Sequence, residues 1–173
     1  FRGFGGNYPA WYQALPLVLK WLLKNTLLSA NIVLLETKES VDFFSKQAKG
    51  RVSWYPNSRK YVGAKNLSTE LKRLAYVSQI KPSKGIFVLL EAMQGIDGVH
   101  VDCYGPLSEG VKEGDFNRHN IDYRGILNPE DVSSVIATYD ALVFPTFYEG
   151  EGYPGVILEA YCEGLPVITT KWR

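Results

Sequence analysis

Cysteine is scarce in this chain: Cys103 and Cys162 are the only two in 173 residues, and they form no CxxC pair. That argues against a disulfide scaffold and fits a reducing compartment, with both thiols read as small core residues. Histidine is equally scarce. His100, on a strand, reads as structural and His119 as solvated, and neither is read as having a Cys or Asp partner at ligand spacing, so no metal site is expected. Charge of one sign is missing too: 19 basic and 18 acidic residues are interspersed to a net +1, which gives no electrostatic case for nucleic acid. No apolar run reaches the ~20 residues of a spanning helix. The ATPase phosphate loop GxxxxGK[ST] is absent, as are internal repeats and low-complexity tracts. Methionine occurs once, at Met93, and the chain starts on Phe1, so a piece of a longer protein is expected.

What is present is a core-forming composition, 46% hydrophobic, with eleven tyrosines and four tryptophans. After the glycine-rich FRGFGGNY, an apolar stretch from Pro16 to Ala30 reads as a helix with Lys20 and Lys24 on one narrow face. It is expected to be largely buried, with a membrane-surface helix as the competing reading. Strand Asn31–Leu35, helix Lys38–Lys49 and strand Arg51–Tyr55 make a β-α-β unit, and a polar stretch from Pro56 to Glu70 reads as linker. The alternation then restarts: strand 74–80, helix 85–94, strand 100–104, strand 121–124, helix 129–139, strand 141–144, a helix from Gly155, and strand 166–170. The pattern predicts an α/β fold, a Rossmann-like open parallel sheet with helices on both faces, in which ligands bind beyond the carboxyl ends of the strands. The last strand is followed by three residues, so the sheet is expected to be incomplete.

The chain is organised around Phe144–Pro166, FPTFYEGEGYPGVILEAYCEGLP. The run Ala141–Phe144 suits a strand buried on both faces, and Pro145 ends it. Gly150, Gly152 and Gly155 allow close backbone approach, and the helix starting near Gly155 presents unpaired amides that favour an anion. Glu151 in the loop and Glu159 one turn into the helix could accept from sugar hydroxyls while the amides take phosphate. A solvated acidic loop with dipole-favoured glutamates is the bland alternative. Other loops at strand ends carry Lys81 and Lys84 in SQIKPSKG, a candidate phosphate clamp, then the Tyr104-Gly105-Pro106 turn, then Gly125-Ile126-Leu127 facing a flat base. Asn66-Leu67-Ser68 fits a glycosylation acceptor and is taken as coincidence, and Glu149 and Glu163 read as solvated, with Glu149 able to replace Glu151 if the loop register differs.

Four segments together, YVSQIKPSKGIFVLLEA, the YGP turn, YRGILNPEDV and EGYPGVILEAYCEGLPVI, resemble the donor-binding domain of the GT-B glycosyltransferases, in particular the large retaining family usually numbered four. Glu151 and Glu159, with seven residues between them, match that family's E-x7-E motif. The resemblance implies a nucleotide-sugar donor held between two Rossmann-like domains and metal-independent transfer with retention of configuration. It implies no cofactor. It assigns Glu151 to the sugar hydroxyls and Glu159 to the ribose, with Lys84 and the amides of Tyr153, Pro154, Gly155 and Val156 (Pro154 offering none) facing the diphosphate and Gly152 giving room. Gly105, Pro106 and Ile126 would line the nucleotide.

Two departures stand out. Gln79 occupies the place of an expected arginine and brings no charge, and Arg2 in FRGFGG stands where many relatives have a histidine, facing the donor phosphate if that alignment holds. The resemblance divides the chain into 1–57, the end of an acceptor-side domain, 58–71, a linker, and 72–173, the donor domain. The expected function is hexosyl transfer to a glycan or lipid-linked acceptor in surface polysaccharide synthesis, in the cytoplasm or at the inner face of the membrane with peripheral contact. The chain alone is expected to bind donor without transferring. A non-catalytic nucleotide-sugar module and a GT-B-like epimerase or phosphorylase remain alternatives.

Overall fold

The computed structural model describes residues 7–61, 70–117 and 120–171. Arg2, the Asn66–Ser68 sequon, His119 and most of the expected linker fall outside them. The chain divides into two compact units, Phe1–Ser58 with Glu149–Pro154, and Arg59–Tyr148 with Gly155–Arg173.

In the first unit, helices α1 (Tyr8–Ala14) and α2 (Leu17–Asn25) precede strand β1 (Ile32–Leu35), helix α3 (Lys38–Phe44) and strand β2 (Arg51–Trp54). The strands pair in parallel, Ile32 opposite Arg51 through Leu35 opposite Trp54, closing the expected β-α-β unit. Thr37 caps α3 by accepting from the Ser40 N–H at 3.2 Å. Tyr12, Leu28, Val33, Leu35 and Phe44 make the core.

The expected helix Pro16–Ala30 is corrected in two respects. It stops at Asn25, where Thr26 Oγ1 turns back to the Leu22 carbonyl at 2.8 Å, and a single tighter turn, Leu27–Ser29, follows. Nor is it buried: α2 adds only the half-buried Leu23 to the core, while Leu17 is 82% and Trp21 66% exposed. Helix α1 was not expected at all; Pro9 near its first position is its one starting signal.

The second unit is a five-stranded parallel sheet in the order β5-β4-β3-β6-β7, from β3 (Arg73–Val77), β4 (His100–Tyr104), β5 (Ile121–Tyr123), β6 (Ala141–Phe144) and β7 (Val167–Thr169). Helices α4 (Ile86–Ala92), α5 (Val132–Ile136) and α6 (Gly155–Cys162) cover it. One layer sets Ile86, Leu89 and Leu90 of α4 with Met93 against Leu74, Tyr76, Val101, Cys103, Ala141 and Val143. The other packs Ile136, Tyr139 and Ala160 on Ala75, Leu142 and Phe144. β6 therefore alternates between two cores, which is why its sequence shows an unbroken apolar run instead of a period of two. β3 ends at Val77, three residues before the expected Ile80, although Ile80 makes an isolated bridge to Leu107.

The strand order reverses between β3 and β6. After β3 the chain moves outward to β4 and β5, then crosses back to β6 and β7 on the other side. Loops that leave the two central strands in opposite directions open a crevice at their carboxyl ends, the usual ligand position in such sheets.

Candidate functional site

The loops after β3 and β6 interlock at that crevice. Gly85 has φ +79, and a Cβ there would come within 1.8 Å of the Pro145 carbonyl oxygen, so only glycine lets these backbones meet. The Phe147 N–H donates to the Ser83 carbonyl at 2.8 Å. Lys84 sits at the end of a single turn, Pro82–Lys84, with its ammonium 4.6 Å from the centre of the Tyr148 ring and 5.6 Å from that of Phe144. Tyr76 Oη donates to the Lys84 carbonyl at 3.2 Å, fixing the backbone from the core side. The crevice floor thus holds a cation over two aromatic faces.

The second lysine of the expected clamp behaves differently. Lys81 is buried, lies 4.3 Å over Tyr148 and pairs with Glu109 Oε1 at 3.2 Å, so its charge is already balanced. Gln79 lies exposed on the same loop.

Gly105 ends β4, as expected, but the close approach it permits is internal. A Cβ would lie 1.7 Å from the Ser78 carbonyl oxygen, its own N–H donates to the Gly125 carbonyl at 2.8 Å, and its carbonyl accepts from Tyr123 Oη at 3.0 Å. The glycine therefore knits three strand-end loops together, and its room is used by backbone. Pro106 follows and accepts from the Ile80 N–H at 2.9 Å, while Ile126 stands 69% exposed after β5.

Glu159 projects from α6 and is 16% exposed; its Oε1 accepts from Arg59 Nε at 2.7 Å. The same guanidinium lies against Gly155, where a Cβ would be 2.4 Å from Nη2. Sequence reasoning missed Arg59. It lies 100 residues from Glu159 in a polar stretch with no periodic signal. Val156 is half-buried beside it on α6.

Glu151, Gly152, Tyr153 and Pro154 group with the first unit. There the Tyr153 carbonyl accepts from Asn57 Nδ2 at 2.7 Å, its ring stands edge-on to Trp54 at 6.3 Å, and Glu149 accepts from Asn7 Nδ2 at 3.2 Å. Glu151 is half-buried. The sequence reading also took the dinucleotide loop G-x-G-x-x-G to be absent, yet Gly150, Gly152 and Gly155 fit that spacing, running from the loop after β6 into the first residue of α6. None of the three has positive φ, and at Gly155 the missing side chain makes room for Arg59.

Away from the crevice, Asp102 on β4 is 4% exposed and gathers four partners: Arg124 Nε at 2.6 Å, Tyr139 Oη at 2.8 Å, His100 Nε2 at 3.4 Å and Arg73 Nη2 at 3.7 Å. Burial opposes its ionisation, but the hydrogen bonds from Arg124 and Tyr139 and the charges of Arg124 and His100 outweigh that and hold it below its ordinary 3.8. Burial, then hydrogen bonds with Tyr104 and Asp102, push the Tyr139 phenol up. His100 does have acidic partners, contrary to expectation. Asp102 is two residues on along the same strand face, and Asp122 is brought opposite Asp102 by the β4–β5 register. His100, Asp102 and Asp122 place their ligand atoms within 4.8 Å of one another, but Arg124 takes both carboxylates, at 2.6 and 2.9 Å, and the group reads as an ion-pair cluster. Burial raises the Cys103 thiol far above its usual range, which leaves it unreactive. Among the described residues, no helix is long and apolar enough to cross a membrane.

The family model described as glycosyl transferases group 1 matches residues 71–173, more than half of the chain. Among curated proteins, an O-antigen chain mannosyltransferase B of Escherichia coli is 33% identical over 112 residues, covering 56% of this chain and 28% of that protein. Among solved structures, Anabaena HepE in complex with UDP-glucose matches 98% of this chain and 53% of its own, with TM-score 0.68 and 17% identity. S. aureus TarM, in a complex containing UDP, matches 92% of this chain and 34% of its own, with TM-score 0.65 and 19% identity. At these identities the structures bear on the fold alone, and the chain spans about half or less of each relative's length.

Proposed function

Since the chain belongs to the glycosyl transferases group 1 family, we propose that it supplies the donor half of a retaining glycosyltransferase that moves a hexose from a nucleoside diphosphate to a glycan or lipid-linked acceptor in surface polysaccharide synthesis. The observation that carries this reading is the Lys84 ammonium held over Tyr148 and Phe144 at the point where the strand order reverses. A mannosyltransferase relative and neighbours solved with UDP or UDP-glucose support a sugar nucleotide as the ligand class.

In the proposed reaction the bond between the anomeric carbon and the diphosphate oxygen breaks, and both electrons leave with the diphosphate. Lys84 and the first amides of α6, Gly155 and Val156, meet that growing charge, so the step needs no metal. Glu159 accepts from the ribose, Glu151 holds sugar hydroxyls, and the acceptor hydroxyl adds on the face the diphosphate leaves, giving its proton to the departing diphosphate oxygen. Gly105, Pro106 and Ile126 are assigned to the nucleotide side, with Gln79 as an uncharged neighbour, and Tyr153 and Pro154 complete the turn after Gly152. Arg2, outside the described residues, is assigned to the donor phosphate on the resemblance of FRGFGG alone. The setting proposed is cytoplasmic, supported by free Cys103 and Cys162. Peripheral membrane contact through α2 is supported by the exposure of Leu17, Val18 and Trp21 around Lys20 and Lys24.

The test is release of free nucleoside diphosphate from UDP-, GDP- and ADP-sugars by the protein in its full natural length, with and without acceptor, and the anomeric configuration of the product by NMR. Acceptor-dependent release abolished in Glu151→Gln supports the proposal. Binding without turnover under every acceptor, or an inverted product, overturns it.

A further inference from the structure

We infer that Arg59 is a positioning residue for the donor ribose: it pins one oxygen of Glu159 so that the other is presented, already oriented, to the vicinal hydroxyls of a nucleoside diphosphate. The inference rests on the proposal that Glu159 accepts from the ribose.

Three observations within the second unit support it. Arg59 Nε donates to Glu159 Oε1 at 2.7 Å, a charge-assisted bond of near-ideal length. Glu159 is 16% exposed and Arg59 38%, so the carboxylate is the recessed member and the guanidinium closes over it from the solvent side. Glycine at 155 leaves room for this pose, because a Cβ would sit 2.4 Å from Nη2 and 3.4 Å from Cζ of Arg59 and would make the guanidinium shift. Sequence positions 59, 155 and 159 therefore depend on one another, and position 159 carries the donor-facing chemistry.

The physical benefit is preorganisation. A glutamate side chain left to itself visits several rotamers, and fixing one of them on binding costs conformational entropy. With Oε1 already engaged, that cost is met during folding, and Oε2 accepts from the diol without further ordering. An Nε–H bond suits this better than a lysine would, since the planar guanidinium fixes direction as well as charge.

Calorimetric titration of the full chain with UDP, GDP and ADP identifies the tightest diphosphate, which is then compared with its 2′,3′-dideoxy form. Arg59→Ala is expected to weaken the ribose form roughly threefold to tenfold while leaving the dideoxy form unchanged, with Arg59→Lys recovering part of the loss. Glu159→Gln is expected to bring the ribose form down to the level of the dideoxy form. Thermal melts verify folding, and Arg59→Gln serves if the alanine variant does not fold. An equal loss for both ligands overturns the inference, because Arg59 would then meet phosphate directly; so does a gain in affinity, which would make Arg59 a competitor of the ribose. If Glu159→Gln discriminates between the ligands and the Arg59 variants do not, only the positioning role falls. If Glu159→Gln does not discriminate either, the ribose reading of Glu159 falls with it.

Discussion

Replacing Lys84 by alanine probes the crevice most sharply, because its two aromatic contacts bear on what is lost without ligand and the proposed phosphate contact on what is lost with it. Without ligand, the ammonium lies 4.6 Å from the Tyr148 centroid and 5.6 Å from that of Phe144. The second distance is near the ~6 Å limit of a cation–π contact, so the two together contribute about 1 kcal/mol to folding at this half-buried position. With a diphosphate bound, a charge-assisted bond contributes about 1.5–3 kcal/mol. At about 1.4 kcal/mol per factor of ten, Lys84→Ala should weaken nucleoside diphosphate binding roughly 10- to 100-fold while lowering unfolding stability by only about 1 kcal/mol. The charge origin has its own signature: raising salt toward 1 M, where the Debye length falls to about 3 Å, should weaken the parent chain more than the variant. Calorimetry of the diphosphate and of the unphosphorylated nucleoside, beside urea denaturation, reads every term. A variant that binds the diphosphate within about twofold of the parent, or that loses nucleoside and diphosphate affinity equally, would refute the phosphate role of Lys84.

Other consequences follow from the same geometry. Gly105→Ala places a Cβ 1.7 Å from the Ser78 carbonyl oxygen at φ +136, and should destabilise the second unit by at least about 2 kcal/mol in denaturant titration. Leu142→Ala in fully buried β6 should cost about 3 kcal/mol through the cavity it leaves. Asp102 has a folded-state pKa below its ordinary 3.8, so its contribution is complete above that value and is lost as pH falls through the lower, folded one. Asp102→Asn should therefore flatten the acid limb of a stability–pH curve below about pH 4. It should also cost about 2–3 kcal/mol at neutral pH, less than a fully buried pair because Arg124 is 49% exposed.

Elements whose burial is decided locally were legible from sequence. β4 and β6 were expected at their observed limits, one from its neighbouring loops and the other from a run with no polar face to alternate. α2 was misjudged on two counts. Its end depends on the Thr26 hydroxyl returning to the Leu22 carbonyl, and its exposure depends on which faces the unit covers, which periodicity does not reveal. The loop residues divide in the same way. Lys84 announces itself beside Pro82 and Gly85, whereas the neutralisation of Lys81 by Glu109 needs two loops 28 residues apart to meet. Arg59 had no sequence signal for the same reason, and Gly105 was given a ligand-facing reason for a vacancy that Ser78 fills.

A crystal of the chain soaked with its tightest-binding nucleoside diphosphate tests the donor-site account most directly. The account predicts diphosphate oxygens within hydrogen-bond reach of Lys84 Nζ and of the Gly155 and Val156 amides, with the ribose on Glu159. A nucleotide bound elsewhere on the sheet, or none at a concentration that saturates the parent chain in solution, would contradict it.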